Sequence, residues 1–99
     1  MSKESTFQKD LINEIKEQLP GCIVLKNDAT YCQGIPDLSI FYNDKYAMLE
    51  CKKSATASHR PNQEHYVDKV NEMSFCRFIF PENREDVLNE LYSALRAGR

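Results

Sequence analysis

Apolar positions along this chain recur with two periods, and each change of period marks an element. Phe7, Leu11, Ile12, Ile15 and Leu19 fall at steps of three and four. They share one face of a helix predicted over residues 4–19, which Pro20-Gly21 ends. Residues 22–26 (CIVLK) form a short run of β-formers and predict a strand. Residues 27–34 are polar and turn-rich and predict a loop. Residues 38–42 (LSIFY) and 46–52 (YAMLECK) predict two further strands, and the turn Asn43-Asp44-Lys45 between them predicts a hairpin. Strand side chains alternate between faces. Ala47, Leu49 and Cys51 therefore share one face, while Tyr46, Met48, Glu50 and Lys52 share the other.

Residues 53–60 (KSATASHR) read as a polar loop. Pro61 suits the first turn of a helix over 61–72, with Tyr66, Val67 and Val70 facing inward. Residues 75–80 (FCRFIF) predict a fourth strand, with Phe75, Phe78 and Phe80 as sheet core, and Pro81 breaks it. A last helix over 84–95 places Val87, Leu88, Leu91, Tyr92 and Leu95 on one side. The order α-β-β-β-α-β-α is that of an α/β fold. Three strands joined by short connections form an antiparallel meander. A strand reached through a crossover helix lies parallel in the same sheet, with a right-handed connection. The expectation is a mixed four-stranded sheet flanked by helices, with an extra C-terminal helix, in a single domain over residues 1–99.

Composition narrows the function classes. No apolar run approaches the roughly 20 residues that span a bilayer, and Met1 to Thr6 is polar with no signal-peptide core. No membrane partner is expected, and the expected location is cytoplasmic. Cys22, Cys32, Cys51 and Cys76 show no C-x-x-C spacing, which predicts reduced thiols rather than a zinc site or a disulfide framework. A formal net charge of −2 disfavours a purely electrostatic nucleic-acid binder. The charge is uneven, however. Acidic residues concentrate at Glu14, Glu17, Glu82, Glu85, Asp86 and Glu90, whereas the middle carries Lys45, Lys52, Lys53, His59, Arg60 and Lys69.

The candidate chemistry lies in that middle. Asp37 opens the first hairpin strand, and Glu50 with Lys52 ends the second, so pairing brings the two carboxylates together. Adjacent carboxylates repel unless neutralised, and a hard cation such as Mg²⁺, with oxygen ligands at about 2.0–2.1 Å, does so well. The backbone carbonyl of Cys51 is a candidate third ligand. Lys52 beside the metal can orient or deprotonate a water, or stabilise charge on a phosphate. Two acids, a cation and a lysine suit phosphodiester hydrolysis. Lys53, His59 and Arg60, in the loop that follows, are candidate phosphate contacts, and Lys26 and Gln33 flank the loop before Asp37. On pattern alone, a turn-capping Asp37 and an exposed Glu50–Lys52 strand pair is an equally open reading.

The chain resembles the PD-(D/E)XK nuclease superfamily and, within it, the VRR-Nuc (virus-type replication-repair nuclease) family. Gly34-Ile35-Pro36-Asp37 matches the family's glycine-x-proline-aspartate signature, Glu50-Cys51-Lys52 its glutamate-x-lysine step, and Gln63 its glutamine at the start of the crossover helix. The resemblance runs from about residue 4 to residue 91. It implies a restriction-endonuclease-like αβββαβ core and a Mg²⁺-dependent DNA endonuclease, with Mn²⁺ able to substitute. It implies Asp37 and Glu50 as metal ligands and Lys52 as the residue that assists the water or the phosphate. Gln63 would position the water, the lysine or the DNA backbone, and Glu4 would be an added acid near the metal, although Glu14 and Glu17 stand on the same helix. Stand-alone members are short, phage-type proteins similar to Holliday junction resolvases, which act as homodimers on four-way DNA. A phage origin would place the protein in the host cytoplasm. A non-specific or nicking duplex or flap endonuclease, and an inactive nucleic-acid-binding module of the same fold, are the alternatives.

Overall fold

The computed structural model describes residues 3–97, with side chains from Ser5 onward. Helix α1 (Lys3–Gln18) leads to β1 (Ile23–Lys26), then to the hairpin of β2 (Leu38–Tyr42) and β3 (Lys45–Cys51). Helix α2 (Gln63–Met73) crosses over to β4 (Phe75–Ile79). A single 3₁₀ turn (Pro81–Asn83) then feeds α3 (Arg84–Arg96). The strands lie in the order β1-β2-β3-β4. The first two pairings are antiparallel and β3–β4 is parallel, which gives the mixed sheet expected from the element order.

The period-2 pattern of β3 sorts the molecule into two layers. Ala47, Leu49 and Cys51 face one way, where they join Leu38 and Ile40 of β2 and Phe75 and Ile79 of β4 in the main core. Helices α1 and α3 cover that face through Leu11, Ile15, Val87, Leu88, Leu91 and Leu95. Each fully buried side chain of this size contributes about 1.5–3 kcal/mol of burial free energy. The two helices are also tied to each other, since Arg84 Nη2 donates to Glu14 Oε1 at 2.9 Å and the Tyr92 hydroxyl donates to Glu14 Oε2 at 3.4 Å. On the opposite face, Met48, Cys76 and Phe78 pack under Val67 and Val70 of α2.

The clearest departure from the sequence reading is the start of α2, which falls at Gln63 rather than Pro61. Asn62 adopts a left-handed φ of 69°, so Pro61 and Asn62 form a turn ahead of the helix. Gly34 explains this turn. It has a φ of +90°, and a Cβ there would sit 2.6 Å from Asn62 Cβ and 2.7 Å from its carbonyl carbon. Only glycine permits this approach. The loop that carries Asp37 is thereby seated against the residue before Gln63.

Candidate active site

Asp37, Glu50 and Lys52 lie on the sheet face that carries α2, and Gln63 reaches them from the first turn of that helix. All four line one hollow of about 410 Å³, walled by Ala29, Thr30, Gln33, Gly34 and Ile35 on one side and by Lys53, Ala57, Ser58 and Arg60 on the other. The approach to Asp37 is fixed by Asn27. Its backbone N–H donates to the Asp37 carbonyl at 2.8 Å, and its side-chain amide donates to the Pro36 carbonyl at 2.8 Å. Ser39, buried beneath, completes this clamp. The Asp37 carboxylate then accepts the Cys51 N–H at 2.9 Å, so the acid that opens β2 is pinned to the end of β3.

The centre of the site is a buried polar chain. Lys52 and Gln63 are each 6% exposed and Glu50 is 2% exposed. Lys52 Nζ donates to Gln63 Oε1 at 2.5 Å and to the Ser58 carbonyl at 3.2 Å. The Gln63 Oε1 also accepts the Arg60 N–H at 2.8 Å, and Gln63 Nε2 donates to Glu50 Oε2 at 2.9 Å. Lys52 Nζ stands 3.8 Å from that same Glu50 oxygen. Gln63 thus bridges Lys52 and Glu50, with its acceptor turned to the lysine and its donor to the carboxyl group. The other Glu50 oxygen, Oε1, is buried and makes no hydrogen bond.

A buried, unpartnered carboxylate oxygen is expensive, and the electrostatics reflect it. Burial first, and then the neighbouring Asp37 charge, push the Glu50 carboxyl up to about 8, even though Lys52 pulls the other way. Burial raises Asp37 as well, opposed by the Cys51 amide, by the proton it shares with the Glu50 side chain and by the Lys52 and Arg60 charges. Two carboxyl groups with raised values, held side by side in a cleft, mark a site built around something positive. Among the described residues no group of three His, Cys, Asp or Glu side chains converges, so a closed zinc-type cage is not formed. Two carboxylates with an orphaned oxygen fit a hard divalent ion that keeps several of its waters.

The remaining expected site residues divide. Lys53 and Arg60 line the hollow; His59 does not. The His59 ring stacks on Phe78 at 4.3 Å, and its Nδ1 meets Glu64 Oε1 at 2.9 Å, so it anchors the loop to α2 and β4. Gln33 lines the hollow and Lys26 does not. Glu4 sits in the first turn of α1, and its side chain lies outside the described residues. Glu14 of the same helix is occupied by Arg84 and Tyr92. Asn27 and Ser58 are the members the sequence reading did not single out. Asn27 lies in a segment that reads only as turn-forming, and Ser58 contributes a backbone carbonyl, which no side-chain pattern reveals.

The fold is that of a mixed four-stranded α/β sheet with helices on both faces and a polar site on the face carrying the crossover helix. Among solved structures, Hjc from Archaeoglobus fulgidus, a Holliday junction resolvase from an archaeal hyperthermophile, is similar to this chain with a TM-score of 0.52 and 13% identity. The match covers 77% of this chain and 67% of that one. No family model and no curated protein matches the sequence.

Proposed function

We propose that the chain is a divalent-metal-dependent DNA endonuclease of the PD-(D/E)XK superfamily, of the VRR-Nuc type, acting on branched DNA such as four-way junctions. The observation that carries this reading is the buried Lys52–Gln63–Glu50 chain beside Asp37, with Glu50 Oε1 unpartnered. The fold likeness to a Holliday junction resolvase supports it. Asp37, Glu50 and the Cys51 carbonyl would hold Mg²⁺ or Mn²⁺, which when bound supplies Lewis acidity toward a phosphate and lowers the pKa of a coordinated water. Gln63 keeps one Glu50 oxygen occupied, which leaves the other available to hold such an ion. Lys52, held by Gln63 and the Ser58 carbonyl, presents a fixed ammonium to the attacking water or to charge growing on the phosphate. Preorganisation matters here, because a donor already in place needs no reordering during the reaction. Lys53 and Arg60 at the rim meet the flanking backbone phosphates.

The direct test is cleavage of a synthetic four-way junction, a flap and a linear duplex by the wild type, with Mg²⁺, Mn²⁺ or EDTA. Paired, metal-dependent cuts in the junction are expected, and Asp37→Ala should abolish them. Equal cutting of every substrate would keep the nuclease and remove the branch preference. A folded, metal-loaded protein that cuts nothing would leave a nucleic-acid-binding module as the better reading.

A homodimer belongs to this proposal. Helix α2 packs on β3 and β4, and the far side of that sheet face carries exposed apolar side chains. Register places Ile23, Phe41 and Tyr46 in one row across it, with Leu25 in the next. All four are exposed, Ile23 at 57%. Clustered exposed apolar side chains mark an association surface, and a two-fold pair places two sites for two symmetric cuts. Sedimentation at assay concentration should find a dimer that Phe41→Glu converts to a folded monomer. A monomeric wild type would rule this arrangement out.

A further inference from the structure

Beside the acidic hollow lies a second, shallower one of about 550 Å³, lined by Asn27, Asp28, Tyr31, Cys32 and Ile35. Ile35 belongs to both, so the two adjoin along the loop after β1. Tyr31 stands at the second hollow and is 92% exposed, an unusual placement for a large ring on a loop that is otherwise well tied down. The Asp28 Oδ1 accepts the Thr30 N–H at 2.8 Å and the Thr30 hydroxyl at 2.5 Å. The Asp28 carbonyl accepts the Tyr31 and Cys32 N–H groups at 3.1 and 3.3 Å. The Ile35 N–H donates to the Cys32 carbonyl at 3.2 Å, and the loop base is closed by Asn27 and Asp37. The backbone that carries Tyr31 is therefore set before any ligand arrives, while Ala29 and Thr30, its close neighbours in the chain, wall the acidic hollow.

We propose that this second hollow is a subsite for an unpaired nucleobase next to the scissile phosphate, with Tyr31 as its stacking surface. The inference rests on the nuclease reading for what lies next door. Its wall chemistry favours a base over a further phosphate. The Asp28 carboxylate repels an anion, its Oδ2, the oxygen not bonded to Thr30, suits N–H donors of the kind bases carry at their edges, and Tyr31 and Ile35 offer apolar surface. Aromatic side chains hold single-stranded bases by stacking, with little dependence on sequence. A base within a continuous duplex is already stacked on both faces and cannot use the ring. A base freed at a branch point, gap or flap can. Tyr31 thereby makes the site prefer DNA with an unpaired base beside the cut.

The test uses the full chain and gapped oligonucleotides that carry 2-aminopurine unpaired next to the cut position, titrated with Ca²⁺ in place of Mg²⁺, alongside a fully paired duplex. The wild type and Tyr31→Phe should quench the 2-aminopurine. Tyr31→Ala should lose the quenching and bind the gapped DNA about 10- to 100-fold more weakly, the range that stacking of one base supplies. Binding to paired duplex should stay within about twofold, since it does not use the ring. With Mg²⁺ the loss in Tyr31→Ala should fall on KM rather than kcat. Quenching by Tyr31→Ala equal to wild type, or equal weakening on both DNAs, overturns the subsite. Normal quenching in a protein that cuts nothing supports the subsite and strikes the nuclease reading instead.

Discussion

Replacing Lys52 with Met should reduce cleavage by about 10²- to 10³-fold, the loss that follows removal of one preorganised electrostatic group, while the protein stays folded. Met nearly matches the lysine's volume, so the buried slot stays filled and the change isolates the charge. Taking one partner from a buried ion pair ordinarily costs about 3–5 kcal/mol, because the other charge is stranded. Here Glu50 escapes most of that cost. Its carboxyl is already raised to about 8, so in the variant it holds a proton at neutral pH and is not left as a bare anion. The same logic predicts a second signature. Lys52 lowers the Glu50 value, so its loss raises that value further and shifts the onset of residual metal-dependent activity to higher pH. Lys52→Arg should not restore the rate, since a planar guanidinium cannot repeat the bonds to Gln63 Oε1 and the Ser58 carbonyl. Single-turnover rates beside denaturant unfolding separate the two effects. A Lys52→Met protein that cuts within about threefold of the wild type would remove Lys52 from the proposed machinery.

How much of this was legible in the sequence follows from which interactions are local. The sheet was readable because alternation in residues 46–52 sorts Ala47, Leu49 and Cys51 from Met48 and Glu50 without knowledge of any partner, and the structure places those two sets on opposite faces. The juxtaposition of Asp37 and Glu50 followed from the hairpin. The bond network did not. Gln63 was placed near the site by resemblance, but its bridging of Lys52 and Glu50 depends on where α2 begins. That start depends on Asn62 turning left-handed against Gly34, a contact between residues 28 positions apart with no local signal. His59 carries packing of the same unreadable kind. A histidine in a basic loop reads as a phosphate contact, and its stacking on Phe78 and its bond to Glu64 come from packing that only the folded chain brings together.

The metal-free protein should lose stability as pH rises from about 5 to 8, and a divalent cation should restore it. The unfolded Glu50 carboxyl titrates near 4.5, and the folded one near 8. Between these values the native state holds a proton that the unfolded chain has released, so raising the pH favours unfolding. The contribution is fully present below the unfolded value and is gone above the folded one. Asp37 is shifted in the same direction, and the two titrate as a pair. The loss is a few kcal/mol at most, and it belongs to the Asp37–Glu50 pair rather than to Glu50 alone. Glu50→Gln should flatten the profile, since the amide keeps the volume and an acceptor for Gln63 Nε2 but cannot ionise. Mg²⁺ or Mn²⁺ should raise the midpoint strongly at pH 8.5 and weakly at pH 5.5, because the ion must displace the shared proton to bind. Urea midpoints across pH, with and without metal, measure all of this. A wild type whose stability is level from pH 5 to 8.5 and indifferent to either cation would mean that Asp37 and Glu50 are not the paired, charge-starved carboxylates that both the metal proposal and the nuclease proposal require.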